Sequence, residues 1–87
     1  MIYQVVTPKA IQKKIIALPP EVADRLDEAI LALAEDPRPD GVVKMKGKKQ
    51  TYRIRVGDYR IMYIIDDKQL IVVLVRCNHR REVYRER

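Results

Sequence analysis

The 87-residue sequence predicts an α+β domain of β-α-α-β-β-β order, with a mostly antiparallel sheet and a helix pair on one of its faces. Three observations carry that expectation. Apolar residues of the first half recur at helical spacing, and those of the second half alternate or run together as in strands. Breaks bearing proline or glycine fall between these segments.

The opening run "IYQVV" at 2–6 is β-branched and of strand length. Thr7-Pro8 then reads as a helix start, the hydroxyl capping free N–H groups and the proline fitting the first turn. Ile11, Ile15 and Leu18 follow on one helical face, and Pro19-Pro20 ends this helix and opens the next. Glu21 and Asp24 suit the positive end of the second helix, whose apolar stripe is Val22, Leu26, Ala29, Ile30 and Leu33. "DPRPDG" at 36–41 cannot continue a helix, so an antiparallel helix pair is expected. Strands are expected at 50–56, 59–65 and 70–76, joined by turns at Gly57-Asp58 and near Asp66 to Lys68. "LIVVLV" at 70–75 is apolar throughout, the pattern of a central strand covered on both faces.

Composition narrows the class. The length predicts one domain, residues 1–87, with a thin core. No apolar run approaches the roughly 20 residues that span a bilayer, and the amino terminus lacks the pattern of a signal peptide. Cys77 is the sole cysteine, so no internal disulfide or C-x-x-C metal spacing is available. A cytoplasmic protein without metal or cofactor is expected. The net charge of +6 is unevenly placed: residues 1–43 carry 5 Lys/Arg against 7 Asp/Glu, and residues 44–87 carry 13 against 5. That asymmetry suggests a polyanion site in the second half, although surplus surface lysines also serve solubility.

The cations are densest around "TYRIRVGDYRIMYII" at 51–65. A glycine first in Gly57-Asp58 is the pattern of a two-residue type II′ hairpin. Such a turn sets Arg55 opposite Arg60, Ile54 opposite Ile61 and Arg53 opposite Met62. Alternation then gathers Tyr52, Ile54, Val56, Tyr59, Ile61 and Tyr63 on a core face, and Arg53, Arg55 and Arg60 on the other. Like charges directly opposed in a sheet are destabilising. Guanidiniums converging on a phosphate, which they bind through paired hydrogen bonds, account for that penalty; a solvated basic face with splayed side chains is the plainer account. Upstream, Lys44, Lys46, Lys48 and Lys49 extend the positive field as candidate RNA or ribosome contacts.

The segment "RCNHRREVYRER" at 76–87 adds Arg80, Arg81, Tyr84 and the only histidine, His79. Arginines holding a scissile phosphate, with a phenol and an imidazole nearby, make a workable phosphodiester-cleaving set. RNA supplies its own nucleophile, so the protein need only take one proton, stabilise the phosphorane and protonate the leaving oxygen. Adjacent cations favour the phenolate of a tyrosine. Equally, Tyr84 could anchor the tail and His79 could be a surface or turn residue. Gly-rich phosphate loops, H-E-x-x-H helices and G-x-S-x-G elbows are absent from the sequence.

The element order, "KMKG" at 44–47, "YRIRVGDYRIMY" at 52–63 and "HRREVY" at 79–84 together resemble the RelE branch of the RelE/ParE superfamily, toxins of type II toxin–antitoxin pairs. The resemblance spans nearly the whole chain and implies a compact fold like that of a microbial RNase. It implies cleavage of mRNA in the ribosomal A site by 2′-OH attack, leaving a 2′,3′-cyclic phosphate, with a cognate antitoxin as partner. By the same resemblance, Arg53 and Arg55 are the two basic strand residues and Arg60 the transition-state arginine. Arg80 or Arg81 becomes the leaving-group acid, and Tyr84 the base or substrate-orienting group. Arginine replaces the lysines common at two of these positions and carries protons poorly, which shifts proton transfer toward Tyr84 or His79. A ParE-like gyrase poison without nuclease chemistry and a noncatalytic basic RNA-binding module are the alternatives.

Overall fold

The computed structural model describes residues 2–81, in the order β1 (Gln4–Val6), α1 (Lys9–Ile16), α2 (Pro20–Ala32), β2 (Val43–Lys44), β3 (Thr51–Val56), β4 (Tyr59–Asp66) and β5 (Ile71–His79). The α+β expectation holds, with one strand added, since β2 is too short for a two-residue period to reveal. Both helices are capped by a proline. Pro8 caps α1 through its own carbonyl, which accepts the N–H groups of Ile11 and Gln12 at 3.0 Å each. Thr7 is therefore not the cap: it lies one residue too early, and its carbonyl accepts the Gln12 side-chain amide at 2.7 Å. Pro19 caps α2 in the same way, with Pro20 at the first helical position and Glu21 in the first turn. Beyond Ala32 the chain tightens, the N–H groups of Leu33, Ala34 and Glu35 each reaching back three residues, before Pro37 forbids more helix.

The sheet runs β1-β5-β4-β3-β2, antiparallel throughout except where β1 lies parallel to β5. β5 is thus interior, but it is not covered equally on its two faces. Val72 and Leu74 are fully buried on the helix side, Val73 is half-buried on the other, and Val75 is exposed. The apolar run reflects an interior position in the sheet, not two packed layers.

The core forms where the helix stripe meets one sheet face: Ile11 and Ile15 from α1, Leu26 and Ile30 from α2, Leu33 just after it, and Tyr52, Ile54, Ile61, Tyr63, Ile65, Val72, Leu74 and Cys77 from the strands. The Tyr63 hydroxyl, in a fully buried side chain, donates to the Pro37 carbonyl at 2.7 Å, so its one polar atom is satisfied and fastens the loop after α2. Burial pushes this phenol well above its ordinary value. At the sheet end away from the β3–β4 turn, Asp67 accepts the Tyr3 hydroxyl at 2.7 Å and a two-pronged contact from Arg38, at 3.2 and 2.8 Å. Arg38 also lies over the Tyr52 ring, 5.1 Å from its centroid. This clasp joins the residue before β1, the loop after α2, β3 and the β4–β5 turn. No helix among the described residues is long and apolar enough to cross a membrane.

Candidate nucleic-acid interface

The β3–β4 hairpin turns at Gly57, whose φ of 59° has no counterpart at Asp58, as the type II′ geometry demands. Its register is the one the turn imposes: Val56 faces Tyr59, Arg55 faces Arg60, Ile54 faces Ile61, and Arg53 faces Met62. Ile54 and Ile61 are buried beneath the helices, so Arg53, Arg55 and Arg60 leave the ribbon on the opposite, helix-free side. Arg53 and Arg60 are half-buried and Arg55 is exposed. Among the described residues none of the three forms an ion pair with a carboxylate, and the Arg55 Nε donates to the Gly57 carbonyl at 3.1 Å.

Cross-strand pairing extends this face into rows. Arg55 and Arg60 continue into Asn78 of β5, and Arg53 and Met62 continue into Arg76. Neither row contains an acid. Beyond them lies an apolar row of Ile64, Val73 and Val6, of which Ile64 and Val6 are exposed. Asn78 is buried and its amide oxygen accepts the Lys14 ammonium at 2.9 Å, so α1 places a fourth cation beside the first row. Lys14 and Arg76 are two cations that sequence reasoning missed. The irregularity between Met62 and Tyr63 leaves Val75 without a partner, and so shifts Arg76 onto the arginine side and Cys77 into the core. The signal was legible, since uninterrupted alternation after Val72 and Leu74 would bury the Arg76 charge.

The remaining expected residues divide. Arg80 and Arg81 are exposed just past β5, and the Arg80 N–H donates to the Asp58 carbonyl at 2.7 Å, which holds them beside the hairpin tip. His79 lies elsewhere: it ends β5 opposite Tyr59, on the helix side, with the two rings edge to face at 5.2 Å. The strand runs on past the expected end at residue 76, and its alternation carries the imidazole away from the arginines. Lys44 pairs with Tyr52 on the edge strand, hence also on the helix side, whereas Lys46, Lys48 and Lys49 occupy the loop between β2 and β3 at the far end of β3. Tyr84 lies outside the described residues. No cluster of metal-ligating side chains is found among the described residues.

Such a face can bind a phosphate with planar, permanently charged donors and can stabilise charge building on its oxygens. A model of the ParE toxins of type II toxin–antitoxin systems matches residues 6–84. The chain belongs to the RelE/ParE family. It is 35% identical over 69 residues to the toxin RelG of Mycobacterium tuberculosis, covering 78% of this chain and 79% of that protein. Among solved structures it is similar to RelE in the archaeal RelE–RelB complex of Pyrococcus horikoshii, with a TM-score of 0.82 and 29% identity over 92% of this chain and 97% of that one. The RelBE2 toxin–antitoxin complex of M. tuberculosis gives a TM-score of 0.76 and 26% identity, covering 91% and 99%. For a member of the RelE/ParE family, the arginine face is the conspicuous chemical feature of the described residues.

Proposed function

We propose that this toxin is a ribosome-dependent endoribonuclease that cleaves mRNA in the A site. The observation that carries the reading is the gathering of Arg53, Arg55 and Arg60 on one side of the β3–β4 ribbon, with no ion pair to a carboxylate among the described residues. Guanidiniums without acid partners are free to take a phosphodiester. In the proposed step the RNA 2′-oxygen attacks phosphorus and gives its proton to a base, the role assigned to Tyr84. The P–O5′ bond breaks, and O5′ takes a proton from the acid beside it, the role assigned to Arg80 or Arg81. The products are a 2′,3′-cyclic phosphate and a 5′-hydroxyl. Arg60 stabilises the doubly charged phosphorane, Arg53 and Arg55 hold the phosphate, and Lys46, Lys48 and Lys49 bind flanking RNA backbone. His79, across the sheet from the arginines, is not a catalyst in this scheme. A cognate antitoxin is the expected protein partner, supported by the likeness to toxins solved with RelB, and the cytoplasm is the expected site of action.

Cell-free translation followed by primer extension on the mRNA tests the reading. Codon-registered cuts that require ribosomes are expected, and their loss in Arg60→Ala. Intact mRNA beside arrested translation would refute nuclease action. The ParE name of the matching family model keeps a gyrase-directed toxin as the second reading, distinguished by stalled gyrase complexes on DNA without RNA cleavage.

A further inference from the structure

The hairpin tip divides two unlike surfaces. On one side stand Arg55 and Arg60; on the other a cleft of about 590 Å³ opens between the first turns of α2 and the tip. Its volume falls within the roughly 300–1,000 Å³ of small-molecule sites. Val22, Leu26 and Val56 give it an apolar floor, and the edge-to-face pair of Tyr59 and His79 walls one side. Glu21, Arg25 and Asp58 stand at its polar margin. Arg25 leans against the turn itself, its Nη1 3.9 Å from where a Cβ on Gly57 would stand.

We infer that this cleft holds a nucleobase next to the phosphate gripped by the arginine face, a reading that rests on the proposed nuclease function. Tyr59 and Arg60 are adjacent in the chain and leave the strand on opposite sides, so at the tip only the two-residue turn separates the surfaces. A strand of RNA bound by its phosphate at Arg55 and Arg60 has a short path over that turn. Charge selects what enters. Two carboxylates against one guanidinium oppose a second phosphate and favour a neutral, flat group that both donates and accepts hydrogen bonds. An exocyclic amino group can donate to Glu21 or Asp58, a ring acceptor can receive from Arg25, and an aromatic wall suits base stacking. The class of ligand is therefore an amino-bearing base, adenine, cytosine or guanine, ahead of uracil.

The test uses the full chain and a deoxydinucleotide with cytosine on one sugar and no base on the other, which lacks 2′-hydroxyls and cannot be cleaved, against the same phosphodiester with both sugars abasic. Both should shift the backbone amide NMR signals of Arg55 and Arg60. Only the base-bearing compound should also shift Val22, Leu26 and Tyr59, and it should bind roughly tenfold more tightly, in keeping with one base stack. Val22→Trp, which fills the cleft, should abolish that difference. Glu21→Gln, at an exposed position, should narrow it without filling anything, so a misfolded Val22→Trp does not leave the question open. Equal affinity for the two compounds, with shifts confined to the arginine face, would overturn the base site and leave phosphate binding standing. Shifts at neither surface would overturn both.

Discussion

On the proposed nuclease function, replacing Arg60 by glutamine should stabilise this protein while removing RNA cleavage. Arg60 sits directly opposite Arg55 on the neighbouring strand, a pairing in which side chains leave the backbone roughly 4.5–5.5 Å apart. Opposed like charges cost on the order of 0.2–1 kcal/mol there. The glutamine amide removes the charge while its two methylenes preserve part of the packing of the half-buried arginine stem. In a domain of this size, about 1 kcal/mol corresponds to a melting shift of about 4–8 °C, so a rise of up to several degrees is expected. Urea melts at two salt concentrations make the assay specific. The gain should be largest near 0.01 M salt, where the screening length is about 30 Å, and shrink by 0.5 M, where it falls below about 10 Å. Arg55→Gln should behave alike, and the double variant should gain less than the sum of the two, because the second neutralisation finds no partner left to repel. Cleavage by Arg60→Gln should fall by about 100- to 1,000-fold, the scale of losing one donor to a transition-state oxyanion. A variant that is less stable than the parent at low salt, or as active, would refute the picture of two cations held together for a phosphate.

Three further outcomes follow from the geometry. Asp67 is held below the usual carboxylate range by Arg38, and further by Tyr3, so its folded value lies under its unfolded one. Its contribution is thus present above the unfolded value near 3.9 and is lost as pH falls through the depressed one; Asp67→Asn should flatten the acid limb of a stability–pH curve measured by urea melts. Replacing Lys46, Lys48 and Lys49 by glutamine should weaken RNA affinity and reduce its logarithmic salt slope by about one unit for each phosphate no longer neutralised, as a filter-binding series would measure. Leu74→Ala, at a fully buried position of an interior strand, should cost about 2–5 kcal/mol, read as a lowered urea midpoint with an unchanged slope.

How far the sequence could be read depended on how local each determinant was. The hairpin was legible to the residue because a two-residue turn with glycine first permits one register, and alternation then assigns every side chain to a face. The stripe from Val22 to Leu33 was legible because it needs only helical spacing. What escaped depended on partners distant in the chain. The irregularity opposite Met62 carries no glycine or proline to place it, and the one local hint that Arg76 moves onto the arginine side is that unbroken alternation would bury its charge. Where β5 stops is set by its pairing with Tyr59 and Arg60, not by its own apolar run, so His79, expected past the strand as a catalyst or as a surface or turn residue, is instead the strand's last residue. Lys14 reaches Asn78 from a helix 64 positions earlier, an interaction that periodicity cannot express. The family resemblance named the arginines but could not say which residues of α1 and β5 stand beside them.

The parallel pairing of β1 with β5 joins the first strand of this domain to be synthesised to the last. Arg76 arrives with that final strand, and Arg80 and Arg81 follow it, so a half-made polypeptide cannot assemble the cationic surface. Long-range pairing of this kind also slows folding relative to local contacts. On the proposed function, a ribosome making this molecule is therefore shielded from it by topology: the cationic surface comes into being only once nearly all of the domain has cleared the exit tunnel, and that delay gives an antitoxin time to meet it.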